Sequence, residues 1–189
     1  MYKLNFDGAS KGNPGNSGFG GIIRDYKGVN IITFLGSHGW DTNNSAELEG
    51  LWHELLIAQD RNLFPVLIEG DSQILIQMVS RILHGSPSSK ISNSWRKAQR
   101  LLHIERWIGF HRAISFIHIR RDGNKVADLL ANMGVDSGRH LLVGSPANLI
   151  FESQLLDFNN LVQEEMPEFE DTLSDPGGRY VRTTLHANN

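Results

Sequence analysis

The chain has 189 residues, 40% of them hydrophobic and 21% charged, with a formal net charge of −3 and no cysteine. That composition supports one globular domain with a sizeable core, and it excludes disulfides and thiolate metal sites. No apolar run approaches the roughly 20 residues of a membrane-spanning helix, so no membrane partner is expected. The charge is uneven: residues 141–189 hold eight of the 21 acids and two of the 18 lysines and arginines, leaving a body of net +3 ahead of an acidic tail. Such a body is compatible with a polyanionic partner.

The chain enters strand pattern almost at Met1, which speaks against a signal peptide and is what a fragment of a longer precursor would show. With no cysteine, a reducing intracellular compartment, nucleus or cytoplasm, is the expected setting. Tyr2–Asp7, Gly18–Asp25 and Val29–Gly36 read as three strands of an antiparallel meander. On this reading Asp7 closes the first strand and GASKGNPG is a flexible turn. From Ser45 to Arg61 the residues Leu48, Leu51, Trp52, Leu55 and Leu56 recur at helical spacing. VLIEG at 66–70 is a short buried strand, and Ser72–Leu83 is a helix broken by HGSPSS. Ser92–Trp107 is a helix that is basic on one side, with Trp95 and Trp107 expected in the core. Ile114–Ile119 is a strand, and Val126, Leu129, Leu130 and Met133 mark a last helix ended by GVDSG. The order β-β-β-α-β-α-α-β-α implies an α/β domain over residues 1–140 with a mixed sheet. Residues 141–189 form an acidic extension, helical around Phe151–Val162 and otherwise poorly ordered.

Four acids stand where their side chains would face one cleft: Asp7 after the first strand, Glu47 in the first turn of the first helix, Asp71 after VLIEG, and Asp128 early in the last helix. Each has a structural alternative. Asp7 suits an Asx-turn, Glu47 a capping box with Asn44, Asp71 the N-cap of the next helix, and Asp128 a solvated helix face. These roles are compatible with a metal site, because caps and turns hold carboxylates rigidly. Open sheets bind ligands beside strand ends. Clustered carboxylates suit hard cations such as Mg2+ or Mn2+, and two such ions about 4 Å apart can activate water and stabilise the leaving oxygen of a phosphodiester.

The motifs DGASKGNPG, TNNSAELEGL, EGDSQ and HIRRDGNKVADLLAN, in this order over residues 2–137, resemble those of ribonuclease H type 1, in the stand-alone or retroelement-derived branch of plants. The resemblance implies a ribonuclease H-like fold, with a five-stranded mixed sheet flanked by helices. It implies that Asp7, Glu47, Asp71 and Asp128 bind two Mg2+ ions, with Mn2+ as a substitute. It implies hydrolysis of the RNA strand of an RNA/DNA hybrid to 3′-hydroxyl and 5′-phosphate ends, by a chain expected to act as a monomer. His118, ten positions before Asp128, matches the family's catalytic histidine, which transfers protons and helps product leave.

Asn13, Asn44 and Gln73 match positions that touch the hybrid's minor groove, where amides can read base edges and 2′-hydroxyls. Gly12 and Gly15 would let the backbone come close. Ser10 and Lys11 face phosphate on this reading. Arg96, Lys97, Arg100, Arg106, Arg112, Arg120, Arg121 and Lys125 form the densest basic region, suited to salt-sensitive phosphate contacts. The long basic handle of some family members is absent, and HGSPSSKISNSW stands in its place. The competing expectations are a catalytically inactive binding or protein-interaction module on the same fold, and an exonuclease or resolvase of the same broad fold; the motif order and the TNN-x-x-E helix start speak against the latter.

Overall fold

A computed structural model describes residues 1–88, 95–111, 113–149 and 152–165. The expected helix start at Ser92, the side chains of Trp95 and Arg96, Arg112, and the acidic stretch beyond Glu165 lie outside the described residues.

The first two strands run past the point where the apolar pattern ends. β1 spans Tyr2–Gly12 and β2 spans Gly15–Arg24, paired antiparallel from Lys3↔Arg24 to Gly12↔Gly15. GASKGNPG is therefore mostly paired strand and not a flexible turn, and Asp7 sits inside β1 opposite Gly20. The hairpin closes through Asn13 and Pro14. Gly12 there has φ of +102°, and a Cβ on Gly15 would lie 2.1 Å from the Lys11 carbonyl oxygen, so both positions require glycine.

β3 (Asn30–Asp41) completes the meander. β4 (Val66–Gly70) pairs parallel with β1, and β5 (Ile114–His118) pairs parallel with β4. A further strand, β6 (Leu142–Gly144), pairs antiparallel with β3. The sheet order is β5-β4-β1-β2-β3-β6, six strands where five were expected. Three residues are too few for an alternating pattern to reveal β6.

The two faces of the sheet carry separate cores, and neighbouring residues alternate between them as strand geometry requires. Ile23 and Phe34 belong to the first core, while Ile22 and Leu35 belong to the second. Over the first pack α1 (Asn43–Asp60), α2 (Gln73–Leu83) and α3 (Trp95–Phe110), burying Leu51, Leu55, Val79, Ile104 and Trp107. The second is covered by α4 (Lys125–Ser137), the short α5 (Pro146–Leu149) and α6 (Glu152–Glu165). Phe158 of α6 is buried there against Val126, Leu130 and Met133, so the described part of the extension packs onto the domain.

α1 also buries a charge that nothing compensates. Glu54 is fully buried, and neither carboxylate oxygen has a hydrogen-bond partner among the described residues. Burial pushes its pKa well above the usual range, and Glu69 adds to the rise. A protonated carboxyl without partners still costs about 1–3 kcal/mol relative to a matched apolar group. Glu54→Met is expected to raise stability by that amount near pH 4 and by more at pH 7 in urea denaturation, because the margin widens as pH rises above the carboxylate's unfolded pKa.

Candidate active site

The parallel pairing of β1 with β4 and of β4 with β5 ends at one edge of the sheet, where ligands bind in open α/β sheets. Asp7 lies two residues beyond Asn5, the last β1 residue paired with β4. Asp71 follows β4 directly, and His118 is the last residue of β5, paired with Gly70.

Glu47 reaches this edge because α1 lies almost in contact with β1. A Cβ on Gly8 would sit 2.1 Å from the Glu47 nitrogen, and one on Gly50 would sit 2.9 Å from the Asp7 carbonyl oxygen. Only glycine at both places lets helix and strand approach so closely. The helix is capped by Thr42, whose hydroxyl accepts from the Ser45 amide. The expected capping box with Asn44 is absent; Asn44 is exposed. Instead the Asn43 Nδ2 donates to Glu47 Oε1 at 3.0 Å, while Glu47 Oε2 is buried without a partner among the described residues.

Asp71 does not cap α2; Ser72 holds that position, with no side-chain capping bond. The Asp71 side chain turns to the site: Oδ1 accepts from Asn124 Nδ2 and Oδ2 from Arg121 Nε, each at 3.4 Å. His118 Nε2 lies 3.1 Å from the Asp71 carbonyl oxygen, which makes Nε2 the protonated nitrogen. Asp128 stands in the first turn of α4, half-buried, not fully solvated. Asn124, fully buried, joins the elements by donating Nδ2 also to the Phe6 carbonyl oxygen at 2.9 Å.

The carboxylates converge as a field centred on Asp7. Burial, then the charges of Asp71, Asp128 and Glu47, push the Asp7 pKa up to about 8, although the Gly8 amide at 2.7 Å favours its charged form. Burial raises Glu47 in the same direction, with Asp71 adding and Ser72, Arg121 and Asn43 opposing. Among the described residues no three carboxylates or histidines close on a single point as a finished ligand set. Magnesium does not require one, since it is held through one or two carboxylates and retained water. A buried carboxylate oxygen without a donor, and four hard oxygen ligands whose mutual repulsion a cation would relieve, fit divalent ions.

Several expected substrate contacts surround this edge. Asn13 Oδ1 accepts from the Asn43 amide at 3.2 Å, tying the β1–β2 turn to α1, and exposed Asn44 follows in sequence. Gln73 is exposed at the start of α2, next to Asp71. Arg120 is exposed, and the Arg121 side chain is 80% exposed although it reaches Asp71. Ser10 donates to the Asp41 carbonyl oxygen, and Lys11 pairs with Asp136. The basic residues of α3 do not form one free surface: Arg100 pairs with buried Glu49 at 2.6 Å and lies over the Trp52 ring. Asn43, Asn124, Gly8 and Gly50 were missed as site residues. The spacing H-x5-N-x3-D contains Asn124 and was the signal that could have found it.

A family model described as reverse transcriptase-like matches residues 5–134. A ribonuclease H of Chromobacterium violaceum is 33% identical over 69% of this chain and 92% of its own length. A much longer protein of Arabidopsis thaliana is 32% identical over 69% of this chain, which spans 20% of that relative. The crystal structure of RNase H1 from Halobacterium salinarum superposes with a TM-score of 0.61 at 27% identity, over 72% of this chain and 98% of that one. LC11-RNase H1, solved in complex with an RNA/DNA hybrid, gives 0.59 at 28% identity with the same coverage. These matches span the strands and helices that carry all four carboxylates, and on them the chain belongs to the reverse transcriptase-like, ribonuclease H family.

Proposed function

We propose that this domain is a metal-dependent endonuclease that hydrolyses the RNA strand of RNA/DNA hybrids, leaving 3′-hydroxyl and 5′-phosphate ends. The observation that carries this reading is the burial of Asp7 among the charges of Glu47, Asp71 and Asp128 at the ends of parallel strands. The relatives named ribonuclease H, and the hybrid bound to LC11-RNase H1, support the choice of substrate.

On this reading Asp7, Glu47, Asp71 and Asp128 hold two Mg2+ ions. When bound, the ions supply an activated water and charge stabilisation at the phosphodiester. The protein's part is to give up the Asp7 proton, to hold four carboxylates fixed, and to move protons at the departing 3′ oxygen through His118. Asn13, Asn44 and Gln73 meet the 2′-hydroxyl side of the hybrid, where RNA differs from DNA. Ser10, Lys11, Gly12, Arg120 and Arg121 meet phosphates, which adds affinity without sequence preference.

The test is cleavage of a labelled RNA/DNA hybrid in Mg2+, beside RNA/RNA, DNA/DNA and single-stranded RNA, with Asp71→Asn as the comparison. Internal cuts in hybrid RNA alone, lost in the variant, are expected. Binding without cleavage in both Mg2+ and Mn2+ would refute the enzymatic reading and favour a binding module. His118→Ala is expected to lower kcat by about 10²-fold while leaving Mn2+ binding, measured by calorimetry, unchanged.

A further inference from the structure

The acidic extension lies beyond the matched residues 5–134, yet its last described residue reaches the framework of the active site. Glu165, at the end of α6, has a side chain only 3% exposed and pairs with Arg24 of β2, itself 6% exposed, at 2.7 Å. Its other oxygen accepts the backbone N–H of Val126 at 2.8 Å. Val126 is the second residue of α4, where an unpaired helix N–H needs an acceptor. The local N-cap residue does not provide one: Asn124 Nδ2 donates to Phe6 and Asp71, and its Oδ1 accepts no hydrogen bond among the described residues. A carboxylate 39 positions along the chain takes its place, and it also complements the positive end of the helix dipole.

The same carboxylate begins a buried chain of polar contacts. The Arg24 guanidinium also donates to Asn5 Oδ1 at 2.9 Å and to Asn30 Oδ1 at 3.2 Å. Asn5 Nδ2 donates to Glu69 Oε2 at 3.0 Å, and Lys3 pairs with Glu69 at 3.1 Å. Asn5 is two residues before Asp7 on β1, Glu69 two before Asp71, and Val126 two before Asp128. This carboxylate is thus linked directly to α4, and through Arg24 and Asn5 to β1 and β4, elements that carry or directly precede three of the four acids. The linked charges balance as two cations and two anions, and every charged group in the chain is hydrogen-bonded, the condition for burying ion pairs.

We propose that Glu165 is a positioning residue for the metal-binding carboxylates, and that α6 is consequently a working part of the catalytic domain. This rests on the metal-site reading above. Groups that orient ligands without touching the ion typically cost 10–100-fold in metal affinity when altered.

The test uses the full chain and Mn2+ alone, titrated by calorimetry below the melting temperature of each variant. Glu165→Asp keeps the charge but is one methylene too short to span Arg24 and Val126. Glu165→Ala removes both contacts. Glu164→Gln removes only the exposed pair with Lys125 and serves as the control. We expect Glu165→Asp and Glu165→Ala to weaken Mn2+ binding about tenfold or more, with Glu164→Gln unchanged. If Glu165→Ala does not fold, Glu165→Asp decides. Variants that melt earlier but bind Mn2+ as the wild type does would make Glu165 a purely structural residue and overturn the inference alone. A wild-type chain that binds no Mn2+ would overturn it together with the metal reading.

Discussion

Replacing Asp7 by asparagine is expected to abolish hybrid cleavage and at the same time to stabilise the metal-free protein. Asp7 is the acid on which the other three act: Asp71, Asp128 and Glu47 all raise its pKa, and the sheet buries it. Asparagine is close to isosteric and keeps an oxygen to accept the Gly8 amide, which Asp7 holds at 2.7 Å. It removes the negative charge that a divalent ion needs, so kcat should fall roughly 10³-fold or more, beyond what one displaced hydrogen-bond donor costs. It also removes a buried charge that three like charges repel. Urea denaturation in chelator at pH 8 should show the variant ahead by a few kcal/mol. A variant that loses activity together with stability would mean that Asp7 serves the fold, and the metal-site reading would fail.

The order of elements and the four acids were legible because they depend on local signals: apolar periodicity, turn residues and motif spacing. What each acid does locally was misread, because their partners lie far along the chain. Asp7 looked like the end of a strand because the apolar alternation stops there. The strand continues through Gly8, Ala9 and Ser10 because α1 packs so close that Gly8 has no room for a side chain. Asp71 and Asn44 carry good capping chemistry, yet Thr42 and Ser72 take the caps. That leaves Asp71 free to face Arg121 and Asn124, contacts that span about 50 residues of sequence. The tail read as a helix around Phe151–Val162 within an otherwise poorly ordered acidic segment, with no sign of what it packs on. Its described part buries Phe158 in the second core and Glu165 against Arg24, and neither pairing has a periodic signature. Glu54 was invisible for a related reason, since one acid among the leucines of α1 gives no hint of which way it faces.

The metal-free protein should lose stability as pH rises from about 4 to about 8, and a divalent cation should remove the part of that loss that comes from Asp7 and Glu47. In the unfolded chain an aspartate releases its proton near pH 4. In the folded chain Asp7 keeps its proton until about pH 8. Between these values the native state binds more protons than the unfolded state, so the free energy of unfolding falls with pH. The penalty is absent below pH 4 and complete above pH 8, and for a shift of this size it is roughly 4–6 kcal/mol. That is a large share of the 5–15 kcal/mol that holds a typical domain together. Glu47 and Glu54, both shifted upward, act with the same sign. Their contributions separate on adding Mg2+ or Mn2+: the ion stabilises the charged forms of Asp7 and Glu47, whereas the rise at Glu54 comes from burial and Glu69, not from the four acids. Urea denaturation from pH 4 to pH 8 should therefore slope more steeply downward in chelator than in Mn2+, with the Glu54 share remaining in both. Asp7→Asn should reduce the chelator slope by the Asp7 share and respond less to Mn2+ than the wild type does. A wild-type slope that is the same with and without the cation would show that the buried acids do not form an ion site.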